Sequence, residues 1–391
     1  MVALLYVEAY EKDSSHVTSL TLVDSGPIYR NPDPGHRYIA ALFPNPLELP
    51  SGEFICAYNR STGMYAIDMD FFMARSPDGG KTWQDAGRIY KRSDADRHFS
   101  YHGPFLSGMR DGTVVIGAFR ADRSDPEQPM FNERTGGLLK NEPILLRSSD
   151  DGRSWGAPEP VTLPEGIVAT PATAIIELDD ASWFWPFDQW KEFDDERPYQ
   201  PRTLGFFSRD HGRSWGDMIV YADGAAEGRG FWHGRPIVLN DGKLLTMYWA
   251  ADMRSGANLL NYVCIADPSA RQWSVPQPSN LPGQTNAVVE LGDGRLCAVY
   301  TLRESERPGI MAAISEDGGR TWDLGAQLRL WDATGRDRLG VESLESYPRS
   351  HDTIAFGAPS ALRRRDGDVY AAWWCMEAAL VHVRWARLRV E

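Results

Sequence analysis

The 391-residue sequence predicts an all-β fold, a six-bladed β-propeller that forms a single domain over residues 1–391. Three observations predict it: a turn motif that recurs along the chain, six hairpin-like segments, and strand-like stretches near both ends. Helical periodicity is nearly absent. We expect the first and last strands to share one blade, because this arrangement closes the ring and hides both sheet edges.

The recurring motif reads Ser-x-Asp-x-Gly-x-Ser/Thr-Trp, and an alternating apolar run precedes each copy. The aspartate can accept hydrogen bonds from the amides of a tight turn, glycine tolerates a positive φ, and the tryptophan can pack beneath the turn. Each copy therefore predicts a hairpin turn that follows a strand. The copies begin at Ser76, Ser148, Ser208 and Ser315, and a degenerate fifth runs from Asp267 to Trp273.

Six other segments consist of an apolar strand, a short polar turn and a second apolar strand. They are Ile39 to Tyr58, Pro104 to Phe119, Ala172 to Trp185, Pro236 to Trp249, Ala287 to Tyr300 and Pro359 to Trp374. A motif hairpin or a degenerate relative follows each of them, which gives four strands taken six times. Strand-like residues at 19–23 and 381–390 are expected to pair in the last blade.

Charge and composition exclude several kinds of partner. The net charge of −13 argues against a nucleic acid or an anionic membrane surface as partner. The 14 tryptophans are typical of sheets that stack on indole anchors. No apolar span reaches the ~20 residues of a membrane helix, and the N-terminus lacks a basic start, so we expect a cytoplasmic protein.

The four cysteines are Cys56, Cys264, Cys297 and Cys375. They lie in separate apolar runs without C-x-x-C spacing, so we expect buried free thiols rather than a zinc site or a disulfide framework. No redox cofactor and no metal are expected. Histidines on the axis, with His102 and His233 as candidates, leave a metal as a minor alternative, but their spacing carries no metal signature.

The repeated motif resembles the Asp-box of the sialidase (BNR-repeat) superfamily of β-propellers. The resemblance implies that each box lies on the turn between the third and fourth strands, on the face opposite the active site. We therefore expect the motif aspartates to stabilise turns. It also implies a binding cleft near the axis, where first strands begin and second strands end.

That geometry selects candidate site residues with side chains suited to an anionic or hydroxylated sugar. The predicted catalytic residues are Asp68, His102, His233 and Glu304. The predicted substrate-binding residues are Arg37, Arg60, Tyr101, Trp232, Arg235, Trp249 and Arg303.

Sialidases of this family use an arginine triad, a tyrosine nucleophile with a glutamate partner, and an aspartate acid/base. Here the resemblance places His233 and Trp249 at the positions of the glutamate and one arginine, and Ala358 near the tyrosine position. Arg37, Asp68 and either Arg303 or Arg307 could match the remaining family positions. The sequence therefore predicts a sialidase-like fold without ordinary sialidase chemistry.

We expect an exo-acting glycoside hydrolase for an anionic or modified sugar, with a small carbohydrate or glycoside as its partner. Asp68 would be the general acid or base, and Glu304 or a histidine the second group. One alternative is a lyase that acts next to a uronate, using Tyr101, His102 or His233 with an arginine on the carboxylate. The other is a non-catalytic glycan-binding propeller.

Overall fold

The computed structural model describes residues 18–335 and 354–391. These residues form six antiparallel sheets of four or five strands, and each sheet packs against the next around a ring. The ring closes where the first blade contacts the sixth. The predicted six-bladed all-β propeller is therefore confirmed.

The first strand of the chain, β1 (Leu20–Tyr29), belongs to the sixth blade. The first blade contains β2 (Ala40–Glu48), β3 (Phe54–Ser61), β4 (Asp70–Ser76) and β5 (Gln84–Arg88). The second contains β6 (Phe99–Gly108), β7 (Val114–Asp122), β8 (Asn141–Ser148) and β9 (Glu159–Pro160). The third contains β10 (Val168–Pro171), β11 (Ile176–Glu177), β12 (Trp183–Trp190), β13 (Arg202–Ser208) and β14 (Gly216–Asp223).

The fourth blade contains β15 (Arg229–Trp232), β16 (Ile237–Val238), β17 (Leu244–Asp252), β18 (Tyr262–Ala266) and β19 (Gln277–Pro278). The fifth contains β20 (Asn286–Glu290), β21 (Leu296–Leu302), β22 (Gly309–Ser315) and β23 (Leu328–Asp332). The sixth contains β24 (Phe356–Arg363), β25 (Val369–Glu377) and β26 (Leu380–Val390). Two short 3-10 turns lie at Asp94–Asp96 and Ala225–Glu227. No helix in the two described ranges has the length and apolar character needed to cross a membrane.

The ring is closed by the pairing of β1 with β26. Leu20 lies opposite Val390, and Pro27 lies opposite Arg384. In the sixth blade the third and fourth strands are thus not consecutive in the sequence, so no hairpin joins them. This is why the sixth blade lacks the turn motif that the first five blades carry.

The turn motif makes the same hydrogen bonds in each good copy. In the first, Asp78 Oδ1 accepts from the Thr82 amide at 2.9 Å and from the Ser76 hydroxyl at 2.8 Å. The Ser76 hydroxyl accepts from the Gly80 amide at 2.8 Å, and Trp83 Nε1 donates to the Gly80 carbonyl at 3.0 Å. Equivalent bonds occur in the copies that begin at Ser148, Ser208 and Ser315.

The turn of the first motif also contacts the neighbouring blade. Gly80 has φ +85°, and an added Cβ would lie 2.5 Å from the Tyr370 ring of the sixth blade, so only glycine fits. The Tyr370 hydroxyl donates to the Gly80 carbonyl at 2.8 Å, and its ring stacks on Trp385 with centroids 5.3 Å apart. The motif therefore contributes to both turn geometry and packing between blades.

We expect Asp78→Ala to destabilise the fold, and we expect Asp78 to have no part in catalysis. Hydrogen bonding from the Thr82 amide lowers the pKa of Asp78 to about 2, from the ordinary value of 3.8. A lowered pKa in the folded state means that this carboxylate stabilises the fold above about pH 4, and that its contribution is lost as the pH falls towards 2. The substitution should reduce the free energy of unfolding at neutral pH by roughly 1–2 kcal/mol.

Urea unfolding at pH 7 and pH 3 measures this effect. Asp94→Ala is the control, because Asp94 is 89% exposed and its ion pair is with Arg97, which is itself 78% exposed. An Asp78→Ala midpoint equal to that of the control at pH 7 would contradict the structural role.

Candidate functional site

Kinks in the first strands bring residues from several blades to one pocket. Phe43, Gly103, His233 and Ala358 have φ of 53°, 64°, 55° and 45°. A register shift or a strand break occurs at or next to each of these residues. A residue with positive φ bends the strand, and the bend changes the direction of the neighbouring side chains. All four residues line the same pocket.

The pocket lies at the end of the propeller opposite the turn motifs. Side chains from the ends of second strands line it, and each motif follows the far end of a third strand. Residues from two loops that follow second strands, in the first and second blades, complete the wall. They are Met64, Tyr65, Met130, Phe131 and Leu138. Burial raises the pKa of Tyr65 to about 12, so this phenol is protonated at neutral pH.

A histidine and an aspartate form the best-defined polar pair of the pocket. Asp188, near the end of β12, is 3% exposed and uses both carboxylate oxygens on His233. Oδ2 lies 2.9 Å from His233 Nδ1, and Oδ1 accepts from the His233 amide at 2.9 Å. A carboxylate at Nδ1 holds the proton on that nitrogen and leaves the Nε2 lone pair available. The ring, 29% exposed on the side-chain scale, can therefore accept a proton from a bound molecule.

Two guanidinium groups supply positive charge. Arg235 Nη1 donates to the Pro359 carbonyl at 2.6 Å, and Arg303 Nη2 donates to the Phe356 carbonyl at 3.0 Å. Within the described ranges Arg235 has no carboxylate within ion-pair distance, and its Nε has no partner. Burial lowers the pKa of Arg235 to about 10, although the negative charge of Asp188 acts in the opposite direction. The guanidinium therefore stays cationic at neutral pH.

Aromatic side chains form one side of the pocket. The rings of Trp190 and Tyr199 stack at 5.5 Å with an interplanar angle of 6°, and Trp232 lies 5.1 Å from Trp249. The Trp232 indole donates to the Tyr199 hydroxyl at 3.1 Å, and the Trp249 indole donates to Asn258 at 2.6 Å. These bonds fix the rings, so that their apolar faces are held in place for a ligand.

His102 occupies a different environment from His233. Its ring is buried, stacks on Phe119 at 5.0 Å, and lies with Nε2 2.7 Å from the Ser100 hydroxyl. Burial, reinforced by the charges of Arg123 and Arg92, holds the pKa of His102 well below its usual range. This histidine is therefore neutral at neutral pH.

Six of the predicted site residues line the pocket together. They are His102, Trp232, His233, Arg235, Trp249 and Arg303. They come from the second, fourth and fifth blades, and Asp188 of the third blade joins them. Residues at strand ends of separate blades are thus brought to one place.

The other five predicted residues lie elsewhere. Tyr101 is buried between blades, 5.4 Å from Phe71, because successive strand residues face opposite ways and His102 takes the pocket side. Arg60 packs over Tyr29 and Phe72 and pairs with Asp85 at 2.5 Å.

Arg37, Asp68 and Glu304 are exposed. The Arg37 carbonyl accepts from the Asn31 side chain, and Glu304 accepts from Asn258. Asp68 accepts from the amide of Thr62 at 3.1 Å and from its hydroxyl at 3.0 Å. None of the three lines the pocket as the described residues form it.

Asp188, Tyr65 and Trp190 are not among the predicted site residues, but all three line the pocket. Asp188 lies near the end of a second strand, and this position predicts a place at the binding cleft. Its partner His233 is 45 positions away, however, and only the packing of the third blade against the fourth brings the two together.

One group of possible metal ligands occurs among the described residues, in the sixth blade. His382 Nε2 lies 3.0 Å from Glu377 and 3.6 Å from the Cys375 sulfur. Glu377 already pairs with Arg384 at 3.2 Å and accepts from the Trp331 indole at 2.9 Å. This group is a hydrogen-bonded cluster in which Cys375 and His382 are buried and Glu377 is half-buried. All four cysteines are buried and free, as the sequence predicted.

The family described as "BNR repeat-like domain" matches residues 128–382. The chain belongs to this family. Among curated proteins, no match is found. The suspected relationship to the sialidase superfamily is thereby confirmed at the level of repeat and fold.

Solved structures of similar shape support the same conclusion for this BNR repeat-like protein. A protein of unknown function from Dyadobacter fermentans has 19% identity and a TM-score of 0.72, with 95% of this chain and 100% of that chain covered. The Hadza microbial sialidase Hz136 has 18% identity and a TM-score of 0.64, with 89% and 65% covered. Trypanosoma rangeli sialidase in complex with sialic acid has 13% identity and a TM-score of 0.58, with 95% and 59% covered.

The chain thus spans less than two thirds of the length of these two sialidases. At such identities the likeness shows the fold alone.

Proposed function

We propose that this BNR repeat-like protein is a carbohydrate-active enzyme that acts on a carboxylate-bearing sugar, with His233 as its proton-transfer group. The observation that carries the proposal is the His233–Asp188 pair in the same pocket as the Arg235 cation. A carboxylate-oriented imidazole is suited to general acid–base work, and a guanidinium in that pocket is suited to an anion.

The preference for an anion follows from Arg235. The Arg235 side chain is half-buried, with a buried Nε, and a cation withdrawn from water is costly unless it is paired. The described residues offer this guanidinium one backbone carbonyl and no carboxylate of its own. A ligand carboxylate would supply the missing partner. The fixed indole and phenol rings provide flat apolar surfaces against which the C–H faces of a sugar can pack.

Elimination next to a uronate is the reaction that these groups support best. His233 Nε2 removes the proton on the carbon that bears the carboxylate, and Arg235 stabilises the negative charge that develops there. The C–O bond at the neighbouring carbon then breaks, a C=C bond forms, and the electron pair leaves with the glycosidic oxygen, which takes up a proton. No water is consumed, and one fragment is unsaturated.

Hydrolysis is the second candidate, supported by the likeness to proteins named as sialidases. The two-carboxylate mechanism places both acids beside the scissile bond. In the described part of the pocket Asp188 is the one carboxylate on the wall, and both of its oxygens are engaged by His233. Asp68 and Glu304 could act only on a sugar that extends to the exposed rim.

The deciding experiment is product analysis with uronate oligosaccharides, sialosides and neutral glycosides. Elimination gives products whose masses sum to that of the substrate, with a new ultraviolet absorbance. Hydrolysis adds the mass of water and gives no such absorbance. Binding without any product would support the glycan-binding alternative instead.

We expect Asp68→Asn and Glu304→Gln to leave kcat/KM within about threefold of the parent protein, because neither side chain lines the pocket. Both variants keep their volume and lose their charge. The measurement is initial rate on whichever substrate the panel identifies. A loss of about a hundredfold or more in either variant would move the chemistry to the rim and favour hydrolysis.

A further inference from the structure

We infer that His102 is a neutral hydrogen-bond donor which selects the substrate by binding one oxygen of the sugar through Nδ1–H. This inference rests on the proposed function, since it takes the ligand of the pocket to be a sugar. It assigns His102 a part different from proton transfer, and it names the atom that performs it.

The contacts of Ser100 determine where the proton of His102 lies. Arg123 Nε donates to the Ser100 hydroxyl oxygen at 2.9 Å, because a guanidinium can only donate. Among the described residues, the acceptor within reach of the Ser100 hydroxyl proton is His102 Nε2, at 2.7 Å. A neutral imidazole that accepts at Nε2 carries its proton on Nδ1. Arg123 thus donates to Ser100, and Ser100 donates to His102 Nε2. The proton on His102 Nδ1 is the last donor of this chain.

Nothing in the described ranges receives that last proton. His102 is 1% exposed, its Nδ1 is buried, and no hydrogen-bond partner reaches it. A buried donor without a partner is rare in native proteins, and at a pocket wall an oxygen of a ligand would supply the missing partner. The ring lines the pocket, and Nε2 is already used by Ser100, so Nδ1 is the nitrogen that remains for a bound oxygen.

The surroundings keep this histidine neutral. The charged groups that act on it are the cations Arg123 and Arg92, and both oppose a further positive charge. Aromatic rings cover it, with Phe119 at 5.0 Å and Tyr65 at 5.9 Å. His233 has a carboxylate instead. Two histidines with opposite environments divide the work, one exchanging protons and the other presenting a fixed donor.

Side-chain 15N NMR of the folded protein tests the proton assignment directly. We expect His102 to show the neutral Nδ1–H tautomer at every pH between about 5 and 8. Addition of D-glucuronate, the probe, should shift the Nδ1–H signal. An Nε2–H tautomer, or an imidazolium near pH 5, would overturn the inference.

The indole signal of Trp249 distinguishes the two proposals. If D-glucuronate shifts Trp249 and leaves His102 unmoved, the donor role of His102 fails and the sugar pocket stands. If neither signal moves with D-glucuronate or with a uronate oligosaccharide, the proposed function fails, and the donor role fails with it.

Two variants separate the donor from a packing role. His102→Phe keeps a ring against Phe119 and removes the donor, so we expect the probe to bind about 10- to 100-fold more weakly. His102→Asn offers an amide N–H near the position of Nδ1 and should retain most of the affinity. The loss in His102→Phe should appear as a raised KM more than as a lowered kcat. Both variants should leave the shape of the pH profile unchanged, since His233 is intact. Equal weakening in both folded variants would contradict the assignment.

Discussion

His233→Ala is expected to lower kcat/KM by about 10²- to 10⁴-fold, because the substitution removes the atom that exchanges the substrate proton. The fold should survive. His233 is partly exposed, and the bond from its backbone amide to Asp188 does not require the imidazole. Circular dichroism and the urea midpoint check the fold, and initial rates at a fixed substrate concentration below KM check the chemistry.

Asp188→Asn is the companion variant, with nearly the same shape and no charge. Its amide cannot hold the proton on His233 Nδ1 as a carboxylate does, so the imidazole loses the tautomer with a free Nε2. We expect a loss of similar size to that in His233→Ala, and a double variant hardly worse than either single one. Additive losses would show that the two residues do not act as a unit.

His211→Ala is the matched control. This histidine is exposed on a turn motif at the opposite end of the propeller, 5.8 Å from the Trp183 ring. Its substitution should leave the rate unchanged. Parent-like activity in His233→Ala would show that His233 does not transfer the proton, and would favour the rim carboxylates Asp68 and Glu304 in that role.

The sequence predicted the architecture because its signals are local. A motif such as Ser76 to Trp83 satisfies its own hydrogen bonds within eight residues, so the turn can be recognised without knowledge of the rest of the chain. The alternating strands beside it are equally local. Ring closure by β1 and β26 then follows from the requirement that sheet edges be paired.

The site was harder to predict because its contacts join separate blades. His233 and Asp188 are 45 positions apart, and neither sequence neighbourhood indicates the other. The choice between Tyr101 and His102 depends on the phase of one strand, which a one-residue shift reverses. The kink at Gly103, with a register shift between His102 and Phe105, is not visible in an alternation pattern.

The position of Arg60 also depends on contacts between separate blades. It stands at a second-strand end, as a rim residue would, but its guanidinium lies 3.6 Å over the Tyr29 ring and pairs with Asp85. Tyr29 belongs to β1 of the sixth blade, which joins the ring only through closure. An aromatic neighbour from the sixth blade and an acidic neighbour from β5 thus determine that this arginine packs between blades. Arg235, by contrast, has no carboxylate at ion-pair distance among the described residues.

Arg235→Met is expected to lower kcat/KM for a uronate substrate by about 10²- to 10³-fold. Charge-assisted hydrogen bonds contribute roughly 1.5–3 kcal/mol each, and the variant removes the guanidinium that would make them to the substrate carboxylate. Arg235→Lys should recover part of the loss, because lysine keeps the positive charge. Recovery should be incomplete, because the ammonium group lacks the planar, bidentate geometry of the guanidinium. Burial lowers the pKa of Arg235 to about 10, which leaves the group cationic at neutral pH, so anion binding by this group should not change between pH 6 and 8.

The decisive comparison is between a uronate substrate and its neutral methyl ester. Parent protein should prefer the charged form, and Arg235→Met should lose that preference while its rate on the ester changes little. Arg213→Met is the control, since Arg213 is exposed on a turn motif away from the pocket. An equal loss on both substrates would mean that Arg235 supports the pocket wall through its bond to Pro359 rather than binding the anion.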